Sequence, residues 1–364
     1  MQIAHITLLH GYNYGGLLQA YATQQILRAA GHEVLTLDYH PSKWMILLRK
    51  LTFNIPILHR SLGFLLDRMR FSGAKEFNAF RKKHFRFSAS CHSPAQLSAA
   101  CRGYNAVVVG SDQVWSPIWL RAPYFLDFDL EPGCKRFSLA ACCGVISEDP
   151  SYLAYVAKTI ARFDAISVRN DFTAELVSRT TGRSATIICD PTLAVDIPTE
   201  PVPGISGPYI LVYLINRSES LSMATAAIRH LKAVTGLPVF SIPPAELKGA
   251  NQLGADRCIS DISPSQWTHL VANASYLITD SFHGSMFAAK HHRNFVVPDS
   301  GHKVLGRIHS LLSKLQLEHF FLYDSSQLPV MDTLYPTTDW SAVDSRISDM
   351  RDNYLAFVAS LDKV

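Results

Sequence analysis

Short apolar runs alternate along the chain with longer segments whose apolar residues recur every three or four positions. The first run, residues 2–9, is rich in Ile and Leu, and a glycine-containing turn separates it from apolar residues at helical spacing that end at Gly31. Residues 33–39 then alternate in polarity, as a second strand does. Strand, helix and strand in this order are typical of a parallel βαβ unit.

The same alternation continues to about residue 195 and restarts after a linker. The linker is residues 196–208, where four prolines and two glycines lie between periodic segments. Before it, the pattern predicts strands over 106–109, 137–142, 165–168 and 185–189 and helices over 152–163 and 170–181. After it, the pattern predicts strands over 209–215, 239–242, 276–279 and 294–297 and helices over 225–234, 264–274, from 284, and over 304–315.

These elements predict an α/β fold of two Rossmann-like, doubly wound domains that face a cleft. We place the first domain at residues 1–200 and the second at 201–340. A closing helix is expected in 341–364, where the apolar residues are periodic over 354–361. In such a fold the ligand binds in the cleft, at the carboxyl ends of the strands.

Residues 44–70 differ from the rest of the first domain. Bulky apolar residues alternate there with five Lys or Arg and a single acid, Asp67. Two short basic amphipathic helices broken at Pro56 fit this pattern. They either cover the sheet of the first domain or attach the protein to an anionic membrane surface.

Composition narrows the class of protein. The 364 residues carry 34 Lys+Arg and 30 Asp+Glu, a formal net charge of +4, which is too dilute for a nucleic-acid-binding surface. The N-terminal residues lack the basic and small-residue features of a secretory signal, and no apolar run is long enough to span a membrane. Seven cysteines without a CxxC pair are typical of reduced thiols, and the scattered histidines do not predict a metal site. We therefore expect a cytoplasmic protein that binds neither nucleic acid nor metal.

Polar residues follow the strand predicted over 106–109. Ser111 and Gln113 offer hydrogen-bond donors and acceptors, and Asp112 can accept a proton or a hydrogen bond from a hydroxyl group. The alternative is an aspartate helix cap followed by a core residue, Trp115. Earlier, residues 13–16 form a glycine-containing turn between strand and helix without the GxGxxG spacing of a dinucleotide site, so a turn that binds nothing is an equal interpretation.

Arg169 lies just past the strand predicted over 165–168. A guanidinium group there can hold a phosphate or carboxylate through two parallel hydrogen bonds, and the alternative is a structural salt bridge to a carboxylate across the domains. Asp190 ends the strand predicted over 185–189 and is followed by Pro191. We interpret Asp190 as a structural stop rather than a catalytic acid.

Residues 279–285 carry the densest signal. They follow an apolar strand directly and open a helix, so His283 and the amides of Gly284 and Ser285 are expected at a helix N-terminus that favours anions. His283 can bind a phosphate or transfer a proton there, and the alternative is a structural cap. A nucleophilic triad of Asp280, Ser281 and His283 is not expected, because the three residues are crowded along one turn.

Five of these segments, taken together and in order, resemble the polysaccharide pyruvyl transferase family. The resemblance covers nearly the whole chain and is carried by residues 12–22, 110–115, 167–169, 190–192 and 280–284. It implies a glycosyltransferase-B-like fold. It also implies transfer of the enolpyruvyl group of phosphoenolpyruvate to sugar hydroxyls of a surface-polysaccharide or cell-wall polymer precursor, which forms a pyruvate ketal.

The resemblance also implies roles for particular residues. His283 is expected as the acid and phosphate ligand and Asp112 as the base or acceptor anchor. The second domain would bind the donor and the first the acceptor. Residues expected at the donor are Arg169, Ser281, Phe282, His283, Gly284 and Ser285. Residues expected at the acceptor are Asn13, Tyr14, Gly15, Gln19, Ser111 and Gln113.

No cofactor or metal is implied; phosphoenolpyruvate is the co-substrate and a sugar or lipid-linked oligosaccharide the acceptor. A lipid-linked acceptor would give residues 44–70 a reason to contact the inner leaflet. The chain departs from the family at Ser281 and Phe282, where an Arg-Leu pair is frequent. Two alternatives stay open: a nucleotide-sugar-dependent glycosyltransferase on the same fold, and a catalytically silent glycan-binding homologue.

Overall fold

The computed structural model describes residues 1–40, 73–118, 120–215, 217–243, 253–299, 306–330 and 337–364. The basic, apolar segment 44–70 lies outside the described residues. Within them, no helix has both the length and the apolar character that crossing a membrane requires.

The first sheet has six described strands, all paired in parallel, in the order β2-β1-β3-β4-β5-β6. The strands are β1 Gln2–Ile6, β2 Glu33–Thr36, β3 Ala106–Val109, β4 Lys135–Ala141, β5 Ala165–Val168 and β6 Thr186–Ile187. Every residue of β3 is buried, because helices cover both faces of a parallel sheet. The helices of this half are α1 Tyr14–Ala29, α2 Ala74–His84, α3 Pro94–Ala100, α4 Pro150–Ile160, α5 Asp171–Thr181 and α6 Pro191–Ala194, with a 3₁₀ turn at Ala122–Phe125.

The second sheet repeats this design, with six described parallel strands in the order β12-β11-β10-β7-β8-β9. The strands are β7 Ile210–Tyr213, β8 Val239–Ser241, β9 Arg257–Cys258, β10 Tyr276–Thr279, β11 Asn294–Pro298 and β12 Phe321–Leu322. The helices are α7 Arg217–Thr235, α8 Pro264–Asn273, α9 Phe282–Lys290, α10 Gly306–Leu315 and α11 Trp340–Ser360, with 3₁₀ turns at Glu318–Phe320, Ser325–Gln327 and Leu361–Lys363.

In each sheet the strand numbers increase toward both edges from one switch point. This switch point lies between β1 and β3 in the first sheet and between β7 and β10 in the second. Loops that leave the carboxyl ends of these strands diverge there and leave a crevice, which is where open α/β sheets bind ligands. The segments after β1, β3 and β10 contain Asn13, Asp112 and His283, so the fold places these three sequence candidates at the two crevices.

Aromatic packing joins the two halves. The ring of Tyr14, at the start of α1, stacks on Trp267 of α8 with 5.5 Å between ring centroids and meets Tyr213 edge-on. Helix α11 also spans both halves: Asp344 accepts a 2.7 Å bond from His292, and Asp362, just past the helix, lies 4.0 Å from His32 beside the N-terminus. These contacts hold the two carboxyl edges in one arrangement.

The predicted fold class is confirmed: two doubly wound, parallel α/β units form the chain. The strands predicted over 106–109, 165–168 and 276–279 have the predicted bounds. Helix α7 begins earlier than the predicted residue 225. Helices α2 and α3 and the two-residue strands β9 and β12 were not predicted, because each has too few apolar positions to establish a period.

Candidate active site

A buried carboxylate, Asp190, lies at the centre of the site. It follows β6 and caps α6, where its Oδ1 accepts bonds from the Thr192 amide (3.1 Å) and hydroxyl (2.7 Å). Its Oδ2 accepts a 2.7 Å bond from Arg169 Nη1 and a 3.2 Å bond from the Ser111 hydroxyl. Asp190 is therefore more than the structural stop that its sequence context indicates. The available signal was its place at the carboxyl end of a strand.

Arg169 is held by Asp190 but keeps donors unused. Its side chain is only 2% exposed, and its Nη2 lies 3.7 Å from Asp112 Oδ1, beyond hydrogen-bond distance. Within the described part of the chain, Nε and Nη2 have no hydrogen-bond partner. Burial alone would lower the pKa of Arg169, but nearby Cys142, Asp190 and Asp112 raise it above its usual value, so the guanidinium stays charged. A buried cation with unused donors is suited to an anionic ligand.

The ring of Phe282 packs against Arg169. The guanidinium carbon of Arg169 lies 4.4 Å from the ring centroid, which is cation–π geometry. Phe282 belongs to α9 of the second half and Arg169 follows β5 of the first half. The expected donor residues Arg169 and Phe282 are thus brought together from opposite sides of the cleft.

Asp112 is held in an unusual backbone conformation. Its φ of 73° is in the left-handed region, which costs free energy for a residue with a side chain. Its carbonyl accepts bonds from the amides of Val114 (2.8 Å) and Cys142 (3.1 Å), and these bonds hold the turn. The carboxylate is 13% exposed and faces Arg169. Strained residues of this kind cluster at functional sites, and the strain here directs the carboxylate into the cleft.

His283 is the second residue of α9, and its Nε2 lies 3.5 Å from Asp190 Oδ2. Nε2 has no hydrogen-bond partner among the described residues, although the histidine is only 6% exposed. The backbone of Gly15 touches the other side of the ring: a Cβ at Gly15 would lie 2.1 Å from His283 Cγ and Nδ1. Glycine is therefore required at position 15 by this contact across the cleft.

Neighbouring side chains decide the charge of Asp190. Burial alone would raise the pKa of Asp190, but His283, Arg169 and Thr192 outweigh that effect and hold the pKa far below its usual range. The carboxylate is therefore ionised and balances the charge of Arg169.

The first turn of α9 is capped from within. Ser281 Oγ accepts a 3.2 Å bond from the Gly284 amide, and the Ser281 carbonyl accepts bonds from the amide (2.9 Å) and hydroxyl (3.1 Å) of Ser285. The two amides expected to hold the donor anion, those of Gly284 and Ser285, are thus already bonded inside the helix. Of the described first-turn amides, those of Phe282 and His283 remain without a partner.

Several residues expected at the acceptor are placed elsewhere. Tyr14 is 3% exposed, in the aromatic contact between the halves. Gln19 is fully buried and donates to the Thr7 hydroxyl and the Gly16 carbonyl. Asn13 is exposed and caps α1 by accepting the Gly16 amide. The side chains of Tyr14 and Gln19 are therefore buried in contacts within the protein, and their role at the acceptor stays a prediction.

Arg307, on α10, was not found from the sequence. With the Gln113 side-chain oxygen oriented toward it, Arg307 donates from Nη1 and Nη2 at 3.0 and 3.1 Å. Burial lowers the pKa of Arg307, and the positive charge of Arg169 nearby lowers it further. Its Nε has no partner in the described residues. No sequence motif predicts a role for Arg307, because only the fold brings this helix of the second half close to Gln113.

Asp280, in contrast, has a structural environment. It is 1% exposed and accepts a 2.6 Å bond from the Ile215 amide and a 3.1 Å bond from the Ser220 hydroxyl. These bonds tie the segment after β7 and the helix α7 to the end of β10. Asp280 thus stabilises the loop that carries His283.

Comparisons with known proteins agree with this architecture. A profile of the polysaccharide pyruvyl transferase family matches residues 13–299. The UDP-GlcNAc 2-epimerase of Neisseria meningitidis, solved with UDP-GlcNAc bound, has a TM-score of 0.53 at 9% identity and covers 100% of each chain. The UDP-GlcNAc 2-epimerase of Methanocaldococcus jannaschii has a TM-score of 0.53 at 10% identity and covers 93% of this chain and 94% of its own. No curated protein sequence matches significantly. The expected glycosyltransferase-B-like fold is confirmed.

Proposed function

This chain belongs to the polysaccharide pyruvyl transferase family, and from that membership we propose that it transfers the enolpyruvyl group of phosphoenolpyruvate to two hydroxyls of one sugar. The product is a pyruvate ketal on a surface-polysaccharide or cell-wall polymer precursor. No cofactor takes part in this proposal. The site residues bind the donor, move protons and orient the acceptor.

One observation carries the proposal. Arg169 and His283 come from opposite halves of the cleft, both are buried, and both hold unused nitrogen atoms beside Asp190. Buried polar groups without partners are costly, so an arrangement that keeps them favours a ligand that satisfies them. Phosphoenolpyruvate carries a phosphate and a carboxylate, which suit a two-pronged guanidinium and an imidazolium.

The departure from the family at position 281 removes a positive charge, and Arg307 is a candidate to replace it. Where an arginine is frequent, Ser281 instead caps α9 and brings no charge. Arg307, on α10, lies close enough to Asp112 and Arg169 for both to shift its pKa. We propose that Arg307 supplies the counter-charge that Ser281 lacks and holds one of the donor's two anionic groups.

The chemistry then follows from charge. His283 protonates the methylene carbon of the donor, and an oxocarbenium-like centre develops at the adjacent carbon. A sugar hydroxyl attacks that centre as its proton passes to Asp112, and phosphate leaves with Arg169 and Arg307 stabilising its charge. Loss of phosphate leaves a second oxocarbenium-like centre, and a second hydroxyl of the sugar attacks it to close the ketal. The departing phosphate takes the proton of that hydroxyl, and the proton held by Asp112 returns through solvent to restore His283.

Donor binding tests the proposal directly. Purified protein is titrated calorimetrically with phosphoenolpyruvate, inorganic phosphate and UDP-GlcNAc in separate arms, and sugar acceptors are then screened for ketal formation by mass spectrometry. Saturable binding of phosphoenolpyruvate and a ketal product support the proposal. Binding of UDP-GlcNAc alone would instead indicate the glycosyltransferase, and glycan binding without turnover of any donor the silent homologue.

Residues 44–70 add a location to this proposal. If the acceptor is lipid-linked, the five basic residues of this segment would draw the protein to anionic headgroups, each contributing on the order of 1 kcal/mol. Such binding is weak and salt-sensitive. Co-sedimentation with anionic vesicles that disappears at high salt, and does not occur with neutral vesicles, is the expected result. Equal recovery in every supernatant would leave the segment as a cover for the first sheet.

A further inference from the structure

A second cluster of ionisable side chains lies at the same carboxyl edge of the first sheet, away from Asp190. His10 follows β1, whereas Asp38 and His40 follow β2. Their potential ligand atoms all lie within 4.8 Å of one another, and they are the one such group of three in the parts of the chain that the structure describes. The reaction proposed above uses none of them.

Both imidazole rings direct a nitrogen at the same carboxylate oxygen. His10 Nε2 lies 3.1 Å and His40 Nε2 lies 3.0 Å from Asp38 Oδ1. Zinc binds imidazole nitrogen and carboxylate oxygen at about 2.0–2.2 Å, so adjacent ligand atoms of a tetrahedral site lie about 3.3 Å apart. The spacing of the two nitrogens from the oxygen is close to that of an edge of such a site.

The nitrogen atom Nε2 of His10 lies near Asp38 but makes no hydrogen bond to it. Although His10 Nε2 is 3.1 Å from Asp38, it is a buried atom without a hydrogen-bond partner in the described residues. A donor should align with its acceptor, whereas two ligands of one cation point at the cation and not at each other. His40 Nε2 does align with Asp38 Oδ1 and donates a 3.0 Å hydrogen bond to it, so the nitrogen that a bound cation would satisfy is the buried, unpartnered Nε2 of His10.

Neighbouring groups hold the three side chains in place. The second carboxylate oxygen of Asp38 accepts a bond from the Ser90 hydroxyl, and the Asp38 amide donates to Ser88 Oγ at 3.0 Å. The rings of His10 and His40 lie against each other with centroids 4.0 Å apart. Such outer contacts orient ligands in metal sites. The side chains of His10, Asp38 and His40 are 21%, 18% and 33% exposed, so the cluster lies near the protein surface.

We propose that His10, Asp38 and His40 form a binding site for a divalent transition-metal cation, with three protein ligands and at least one position left for water or another ligand. Two imidazoles and one carboxylate are a donor set that zinc and its neighbours prefer over calcium or magnesium. The sequence did not predict the site because His10 and Asp38 follow different strands, and only the parallel pairing of β1 with β2 brings them together.

The experiment uses untagged full-length protein, freed of metal with a chelator and then dialysed against zinc chloride. One equivalent of zinc per chain, measured by mass spectrometry of the metal, is the expected result for the wild type. His10→Ala and His40→Gln should each weaken zinc binding at least about tenfold, as loss of one of three ligands predicts. Cobalt in place of zinc should give a visible spectrum without a thiolate charge-transfer band.

His292→Ala is the matched control, because His292 pairs with Asp344 at 2.7 Å but belongs to no three-ligand group in the described chain. It should keep the wild-type zinc stoichiometry. Circular dichroism of each variant checks that the fold is intact. Equal zinc retention by the wild type and a His10→Ala/His40→Gln double variant would overturn the proposal, as would no retention by either, or a thiolate band. None of these readouts depends on pyruvyl transfer, so this proposal and the proposed function fail separately.

Discussion

A buried aspartate follows one strand of each sheet, and the two aspartates have different neighbours. Asp190, after β6, is 2% exposed, and Asp280, after β10, is 1% exposed. Asp190 accepts a bond from the cationic Arg169 and faces His283, whereas Asp280 accepts bonds from a backbone amide and from Ser220. Burial at the carboxyl end of a strand is therefore common to both, and does not mark function by itself.

The difference lies in the neighbours. Around Asp190, Arg169 and His283 keep nitrogen atoms that no described group satisfies. The described bonds of Asp280 come from the Ile215 amide and the Ser220 hydroxyl, which join a loop and a helix to the end of β10. An ionised, incompletely satisfied network around Asp190 suits a charged ligand, and we expect the contacts of Asp280 to stabilise the fold. Four substitutions, ordered from the largest expected effect on catalysis to the smallest, test this division.

His283→Gln should have the largest effect on turnover. Glutamine keeps a hydrogen-bonding side chain but cannot transfer a proton, so turnover with phosphoenolpyruvate and an acceptor should fall by about 10²–10⁴-fold. Thermal unfolding should stay near that of the wild type, which separates loss of chemistry from loss of fold. Wild-type turnover in this variant would remove His283 from the reaction and with it the functional side of the comparison.

Arg169→Lys should mainly weaken donor binding. An ammonium group keeps the charge beside Asp190 but cannot form two parallel bonds, so the Kd for phosphoenolpyruvate should rise by about ten- to a hundredfold. Calorimetric titration measures the change. An unchanged Kd would return Arg169 to the role of a structural ion pair with Asp190.

Arg307→Gln should have a smaller effect on the same Kd, about five- to tenfold, because Arg307 contributes one more charge-assisted bond to a pocket that already holds Arg169. The double variant Arg169→Lys/Arg307→Gln shows whether the two guanidinium groups bind the same anion. Effects that multiply independently would indicate separate anions, while a non-additive pair would indicate a shared one. No loss of affinity in Arg307→Gln would leave position 281 without a substitute charge.

Asp280→Asn should hardly affect catalysis but should destabilise the fold. The asparagine amide places an N–H where the Ile215 amide needs an acceptor, or loses the Ser220 bond, and the free energy of unfolding should fall by about 1–3 kcal/mol. Denaturant unfolding measures that loss, and kcat of the folded variant should stay within about twofold of wild type. A large fall in kcat at unchanged stability would contradict the structural assignment of Asp280.

The candidates that sequence reasoning located well share one property. Asp112, Arg169 and His283 each lie within four residues of the end of a short apolar strand, and parallel strands end at a common edge, so position along the chain predicted position in space. The burial of Tyr14 and Gln19 was not predicted, because a motif shows which residues accompany the site and not which way their side chains point. Their role at the acceptor stays a prediction. Tyr14 stacks on Trp267, and Gln19 donates a hydrogen bond to the Thr7 hydroxyl.

The chain by itself determined the alternation of strands and helices, the division into two parallel sheets and the turns that carry Asp112, Arg169 and His283, because hydrophobic period and turn residues act locally. Only the tertiary structure decided that Asp190 joins Arg169 to His283, that Gly15 must lack a side chain, and that Arg307 reaches Gln113. Those relations depend on the distance between the carboxyl edges of the two sheets. Local preferences carry no information about that distance, because it is set by the aromatic and helical contacts that pack the halves together.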